Sequence, residues 1–172
     1  MKKSVLITGG TTFVSKYAAE YFVKAGYDVY VLNRNSKPQV QGVKLLEGDR
    51  HQLNGMLKSL SFDVVADITA YNETDIVDLV KELGPFGQYI MISSSAVYPE
   101  YGAQPFAEDS EIAANKFWGA YGTDKAAAEK ALLERVKDAY ILRPPYLYGP
   151  MNNVYREAFV FDCALQNRKV YL

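Results

Sequence analysis

Short apolar runs alternate with amphipathic stretches from one end of the chain to the other. Ser4–Thr8 is a continuous apolar run, as a strand covered on both faces requires. Phe13, Tyr17, Tyr21 and Phe22 then recur at helical spacing and predict a helix over Thr12–Ala25, which Gly26 ends. Asp28–Leu32, Val43–Leu46, Asp63–Ile68, Tyr89–Ile92 and Tyr140–Leu142 read as further strands. Helical patterns cover Glu73–Leu83, ended by Gly84-Pro85, then Ala120–Val136 and Asn153–Gln166, with a weaker one over Gln52–Leu60. Such alternation predicts an α/β fold: a doubly wound parallel sheet in three layers, with helices on both faces. A ligand site is then expected beyond the carboxyl ends of the strands.

Composition narrows the function classes. At 172 residues the chain has the size of one domain, with 49% hydrophobic and 23% charged residues. A net charge of -1 without basic blocks gives no electrostatic case for a nucleic-acid partner. The single cysteine, Cys163, excludes an internal disulfide and fits a reducing, cytoplasmic setting. The apolar run Val5–Ile7 is too short for a secretory signal or a membrane span, so no membrane partner is expected. No His/Cys/Asp group has metal-ligand spacing, and His51, the one histidine, is expected at a helix start or the surface.

The candidate chemistry converges on one edge of the expected sheet. Tyr121 and Lys125 lie four apart on a strongly helical stretch, which puts phenol and ammonium on one face, a turn apart. A cation there favours the phenolate and fits the phenol for acid–base work. Ser93, Ser94 and Ser95 follow a strand, and one of these hydroxyls can polarise a substrate oxygen. Gly9-Gly10-Thr11-Thr12-Phe13-Val14-Ser15 joins a strand to a helix, where glycine admits a pyrophosphate to the helix N-terminus. The glycine pattern is partial, because Thr12 and Ser15 stand where later glycines are expected, and the loop alone also fits a turn without ligand. Asn33-Arg34 ends the second strand in place of an acidic residue, and Arg34 with Lys37 leans slightly toward NADP over NAD. Asp49 suits the adenine amino group or a plain turn, and Tyr71 suits cofactor contact or packing. Phe117 and Trp118 are expected in core packing rather than at a site mouth.

These motifs, together with Gly48-Asp49 and Arg143-Pro144-Pro145-Tyr146-Leu147-Tyr148-Gly149-Pro150, resemble the extended short-chain dehydrogenase/reductase family. The resemblance is to its NAD-dependent epimerase/dehydratase branch and covers nearly the whole chain. It implies a catalytic set of Ser94, Tyr121 and Lys125, with Tyr121 as the base. The cofactor contacts it implies are Gly9, Thr11, Thr12, Phe13, Val14, Asn33, Arg34, Asp49, Arg50, Thr69, Ala70, Tyr71, Ser93, Tyr121 and Lys125. Ser95 and Ala96 replace the Asp-Glu pair of sugar dehydratases, so epimerisation or reduction of a nucleotide-linked sugar is the implied activity.

The resemblance also implies that residues 1–172 are the dinucleotide-binding domain, and that the substrate lobe following it in such enzymes is absent or truncated after Leu172. The stripe Val154, Ala158, Phe161 and Leu165 is then expected to be bare, and a homodimer is one way to cover it. Three alternatives stand beside the enzyme: a non-catalytic nucleotide-binding module, an RNA-binding relative of the atypical kind, and an inactive N-terminal fragment.

Overall fold

The computed structural model of the protein describes residues 2–169. Its strands are β1 (Ser4–Thr8), β2 (Asp28–Asn33), β3 (Lys44–Glu47), β4 (Phe62–Asp67), β5 (Phe86–Ile92) and β6 (Tyr140–Leu142). Its helices are α1 (Phe13–Lys24), α2 (Glu73–Glu82), α3 (Ala120–Arg135) and α4 (Glu157–Leu165). All strand pairs are parallel and the sheet order is β3-β2-β1-β4-β5-β6. The order reverses between β1 and β4, so the chain leaves a crevice at their carboxyl ends.

The apolar run of β1 serves both faces of this sheet. Leu6 joins Val65, Ile76, Leu79, Met91, Ala128 and Leu132 in the core beneath α2 and α3. Val5 and Ile7 point the other way, to Ala19, Val29 and Val31 under α1. That alternation is why the strand is apolar throughout from Val5 to Ile7, between Ser4 and Thr8. Asn72 caps α2 in a reciprocal box with Asp75, whereas the N-cap of α1, Thr12, makes no side-chain cap. Among the described residues no helix is long and apolar enough to cross a membrane.

Two expected helices differ. Gln52–Leu60 is a series of turns, because Asn54 and Gly55 take φ of 50° and 84° and the bonds that form reach back only three residues. Leu53 and Leu57 are nevertheless buried, so the periodicity there reported burial rather than helix. The last helix starts at Glu157 instead of Asn153. Asn152 accepts from the Val154 amide, and the Glu157 carboxylate accepts from the Gly149 amide, so local side-chain bonds hold that segment out of the helix. On α4, Cys163 is buried while Phe161 and Leu165 are exposed.

A fully buried carboxylate ties the sheet beneath the crevice. Asp67, at the end of β4, accepts from Thr8 Oγ1 at 2.7 Å, Tyr89 Oη at 2.7 Å and Arg50 Nη2 at 2.8 Å. It pushes the Tyr89 hydroxyl, already raised by burial, well above the ordinary phenol range. Asp67→Ala, which leaves the Arg50 charge without its partner, is expected to cost about 3–5 kcal/mol in urea unfolding. Asp67→Ala/Arg50→Met should recover part of that loss, and additive costs would show that the pair is not coupled.

Candidate functional site

Two adjoining hollows, of 380 and 460 Å³, run along the carboxyl edge of the sheet and share Thr12, Thr69 and Tyr71. The second lies over β1 and β2 and is lined by Gly9, Thr11, Asn33, Arg34, Lys37 and Asp49. The first lies over β4 and β5 and is lined by Phe13, Val14, Ser93, Ser94, Tyr121 and Lys125. An elongated, two-part ligand fits this shape.

The loop after β1 answers whether a dinucleotide's phosphates fit. Gly9 and Gly10 both have φ of +90°. A Cβ on Gly10 would stand 2.6 Å from Val31 Cγ1, and one on Gly9 2.9 Å from Ser15 Oγ. Both positions therefore require glycine. Thr12 does not, because its φ of -141° is open to any residue. Ser15 replaces a glycine at a close approach, is buried, and turns its hydroxyl onto the Thr12 carbonyl at 2.9 Å. Among the described residues the amides of Phe13, Val14 and Ser15 find no acceptor within the protein. Open amides at an uncapped helix start, reached through a glycine turn, suit an anion. The residues present fit the cofactor.

On the other half, α3 is brought unusually close to the serine loop. A Cβ on Gly122 would stand 2.4 Å from the Ala96 carbonyl oxygen, in the 3₁₀ turn Ser95–Val97. This contact sets Tyr121 and Lys125 beside the end of β5. Lys125 is 2% exposed and donates to the carbonyls of Ala70, at 2.6 Å, and Ile92, at 3.0 Å. One of its three N–H groups is left for the cleft. Its nitrogen lies 6.0 Å from the Tyr121 ring centre and 4.8 Å from that of Tyr71. Burial lowers the Lys125 pKa from the ordinary 10.5, against the opposing charges of Asp67, Asp75 and Glu129. Tyr121 is 40% exposed, and Ser94 is buried at the cleft wall with its Oγ accepting from the Ala96 amide.

Several expected contacts take other roles. Ala70 is fully buried and its carbonyl accepts from Lys125. Arg50 lines the second hollow, yet its Nη2 is held by both oxygens of Asp67. Asn33 spends its amide on the Gly9 carbonyl, and Ser93 donates to Glu129 Oε1. Phe117 and Trp118, expected in the core, are exposed. Their surroundings, the turn before α3, cannot bury two large rings above an open cleft.

Glu129 was not visible as part of the site, although it lies one helical turn beyond Lys125. It is buried, and Arg143 Nε and Nη2 grip it at 3.0 and 2.8 Å. That grip raises the Arg143 pKa and ties the start of the segment Arg143–Pro150 to α3. The same segment, with Asn152, Asn153 and Arg156, supplies a cleft wall. Only the resemblance, and no spacing rule, marked it.

Comparison with known proteins agrees with this geometry. The NAD dependent epimerase/dehydratase family matches residues 57–167. The chain belongs to that family. A chloroplast stem-loop binding protein of 41 kDa from Arabidopsis thaliana is 28% identical over 88% of this chain and 44% of its own length. A UDP-glucose 4-epimerase structure superposes with a TM-score of 0.77 at 18% identity, covering 98% of this chain and 62% of that one. The Bordetella bronchiseptica enzyme WbmG in complex with NAD gives 0.81 at 18%, over 99% and 62%. These likenesses place the Rossmann-type fold. The chain spans about half the length of the curated relatives it matches, or less.

Two outcomes check the family site. Gly122→Ala is expected to lower urea stability by about 1–3 kcal/mol, as α3 is pushed off the serine loop; an unchanged midpoint would contradict the close approach. The second concerns pH. Because the folded Lys125 pKa lies below the unfolded value, the burial cost is present in full below the folded pKa. It is relieved as pH rises toward 10.5. The unfolding free energy of the wild type should therefore climb relative to Lys125→Met over that interval, and parallel curves would contradict it.

Proposed function

We propose that this chain forms the dinucleotide-binding and catalytic part of an NAD(P)-dependent epimerase or reductase acting on a nucleotide-linked sugar. The observation that carries this reading is that Ser94, Tyr121 and Lys125 line the same hollow as the α1 N-terminus. The bound dinucleotide supplies the hydride acceptor at the substrate carbon. Tyr121 takes the proton from the hydroxyl on that carbon and returns it in the reverse step. The buried ammonium of Lys125 favours the phenolate and presents its remaining N–H toward the ribose. Ser94 holds the substrate oxygen as its charge changes. Ser95 and Ala96 offer no carboxylates for eliminating water, which favours epimerisation or reduction over dehydration.

NAD is the family's cofactor. The second hollow also carries Arg34 and Lys37, with no carboxylate at the end of β2, which supports room for a 2′-phosphate. Fluorescence titration with NADH and NADPH is expected to show saturable binding of at least one, and binding of neither would remove the enzyme reading. In the protein that carries this chain, Tyr121→Phe is expected to lower turnover by about 10²–10⁴-fold with dinucleotide affinity nearly unchanged. Full turnover in that variant would take Tyr121 out of the chemistry.

A second reading, recognition of an RNA stem-loop, draws on the name of the Arabidopsis relative. The net charge of -1 speaks against it. Salt-dependent retention of a stem-loop RNA, in a chain that binds neither dinucleotide, is the result that would favour it.

A further inference from the structure

A chemically labile dipeptide lies outside the cleft. Asn54-Gly55 is the one place in the chain where glycine follows asparagine. Both residues are exposed, in the turns between β3 and β4, with φ of 50° and 84°. Buried Leu53 and Leu57 flank them, and Asp49, Arg50 and His51, just upstream, line the second hollow. The turns stand against the end of α2. The Gly55 amide donates to Glu82 Oε2 at 2.5 Å, and the Gly84 amide donates to the Leu57 carbonyl at 3.1 Å. The Asn54 carboxamide is held less firmly, because its Nδ2 donates to the Gln52 carbonyl at 3.3 Å, a long bond for an N–H donor.

A backbone amide that follows asparagine can attack the side-chain carbonyl. Glycine leaves that nitrogen uncrowded, since it has no Cβ. The surroundings are open as well: the nearest atom to a Cβ on Gly55 is Lys58 Cγ, at 3.9 Å. Attack requires the nitrogen to shed its proton and carry negative charge. Here that charge develops against the Glu82 carboxylate, which holds the proton by its hydrogen bond and repels the anion. A carboxylate is far too weak a base to remove an amide proton outright. Glu82 is therefore a brake.

We propose that Asn54-Gly55 is a site of spontaneous deamidation whose rate is set by Glu82. The Gly55 nitrogen bonds to Asn54 Cγ, its proton passes to water, and the side-chain nitrogen departs as ammonia. Water then opens the cyclic imide to an aspartyl or an isoaspartyl residue. The reaction consumes only water and stands apart from the dinucleotide chemistry. Either product adds a carboxylate to the turn that Glu82 holds, and the isoaspartyl form adds a methylene to the backbone between Leu53 and Leu57.

The protein is held in mildly alkaline buffer, sampled over time, digested and read by mass spectrometry, which resolves the amide-to-acid exchange at each asparagine. Asn54 is expected to convert. Asn35, before Ser36, and Asn167, before Arg168, should stay intact although both share a left-handed φ, of 52°. Glu82→Gln, whose amide oxygen can still accept from Gly55, should speed the conversion about tenfold, the scale of one charge-assisted hydrogen bond. Amide hydrogen exchange, which also proceeds through loss of that proton, should quicken in the variant at Gly55 and not at Val5–Ile7 of β1. No conversion at Asn54, equal rates with and without the substitution, or matching conversion at Asn35 and Asn167 would each overturn the proposal. Quickened exchange shared with β1 would trace the effect to unfolding and overturn the role of Glu82.

Discussion

The site depends on one buried cation. Lys125 reaches from α3 between the ends of β4 and β5, and its ammonium closes on the carbonyls of Ala70 and Ile92. Those carbonyls lie past or at the ends of parallel strands, where the sheet no longer supplies partners. A lysine there satisfies the strand ends and fixes the helix that carries Tyr121. The cost is desolvation of a full charge, visible in its lowered pKa and offset by Asp67, Asp75 and Glu129. Structure and chemistry therefore draw on the same side chain.

Two buried carboxylates extend this arrangement in opposite directions. Asp67 joins β1, β5 and the loop after β3 through Thr8, Tyr89 and Arg50. Glu129 joins α3 to the serine loop and to the segment after β6 through Ser93 and Arg143. Each is paired with an arginine, which is what makes a fully buried carboxylate tolerable. Between them they set the floor of the dinucleotide cleft and its far wall. The close approach of Gly122 to the Ala96 carbonyl then determines how near the phenol stands to Ser94.

The strands and the long helices were legible because their burial is periodic. β1, β6 and α3 follow from apolar runs and from a helical repeat that packs on them. Where burial and helix part company, the pattern misled: Leu53 and Leu57 are core residues carried on turns, and Asn54 and Gly55 take left-handed φ that a helix cannot hold. The glycine fingerprint marks Thr12 and Ser15 as departures; in the fold Thr12 has an extended backbone and Ser15 turns its hydroxyl onto the Thr12 carbonyl, so the first amides of α1 stay open.

The linear order of residues by itself determined the doubly wound sheet, the glycine turn at Gly9-Gly10 and the pairing of Tyr121 with Lys125 on one helical face. These are local facts, governed by spacing and backbone sterics within a few residues. Tertiary structure alone decided which polar groups face the cleft and which are consumed inside the protein. Arg50 is held by Asp67, Ala70 by Lys125 and Ser93 by Glu129, while Tyr121 and Arg156 face the first hollow. Hydrogen bonds between distant segments make that division, because a buried donor or acceptor must find its partner wherever the folded chain supplies one.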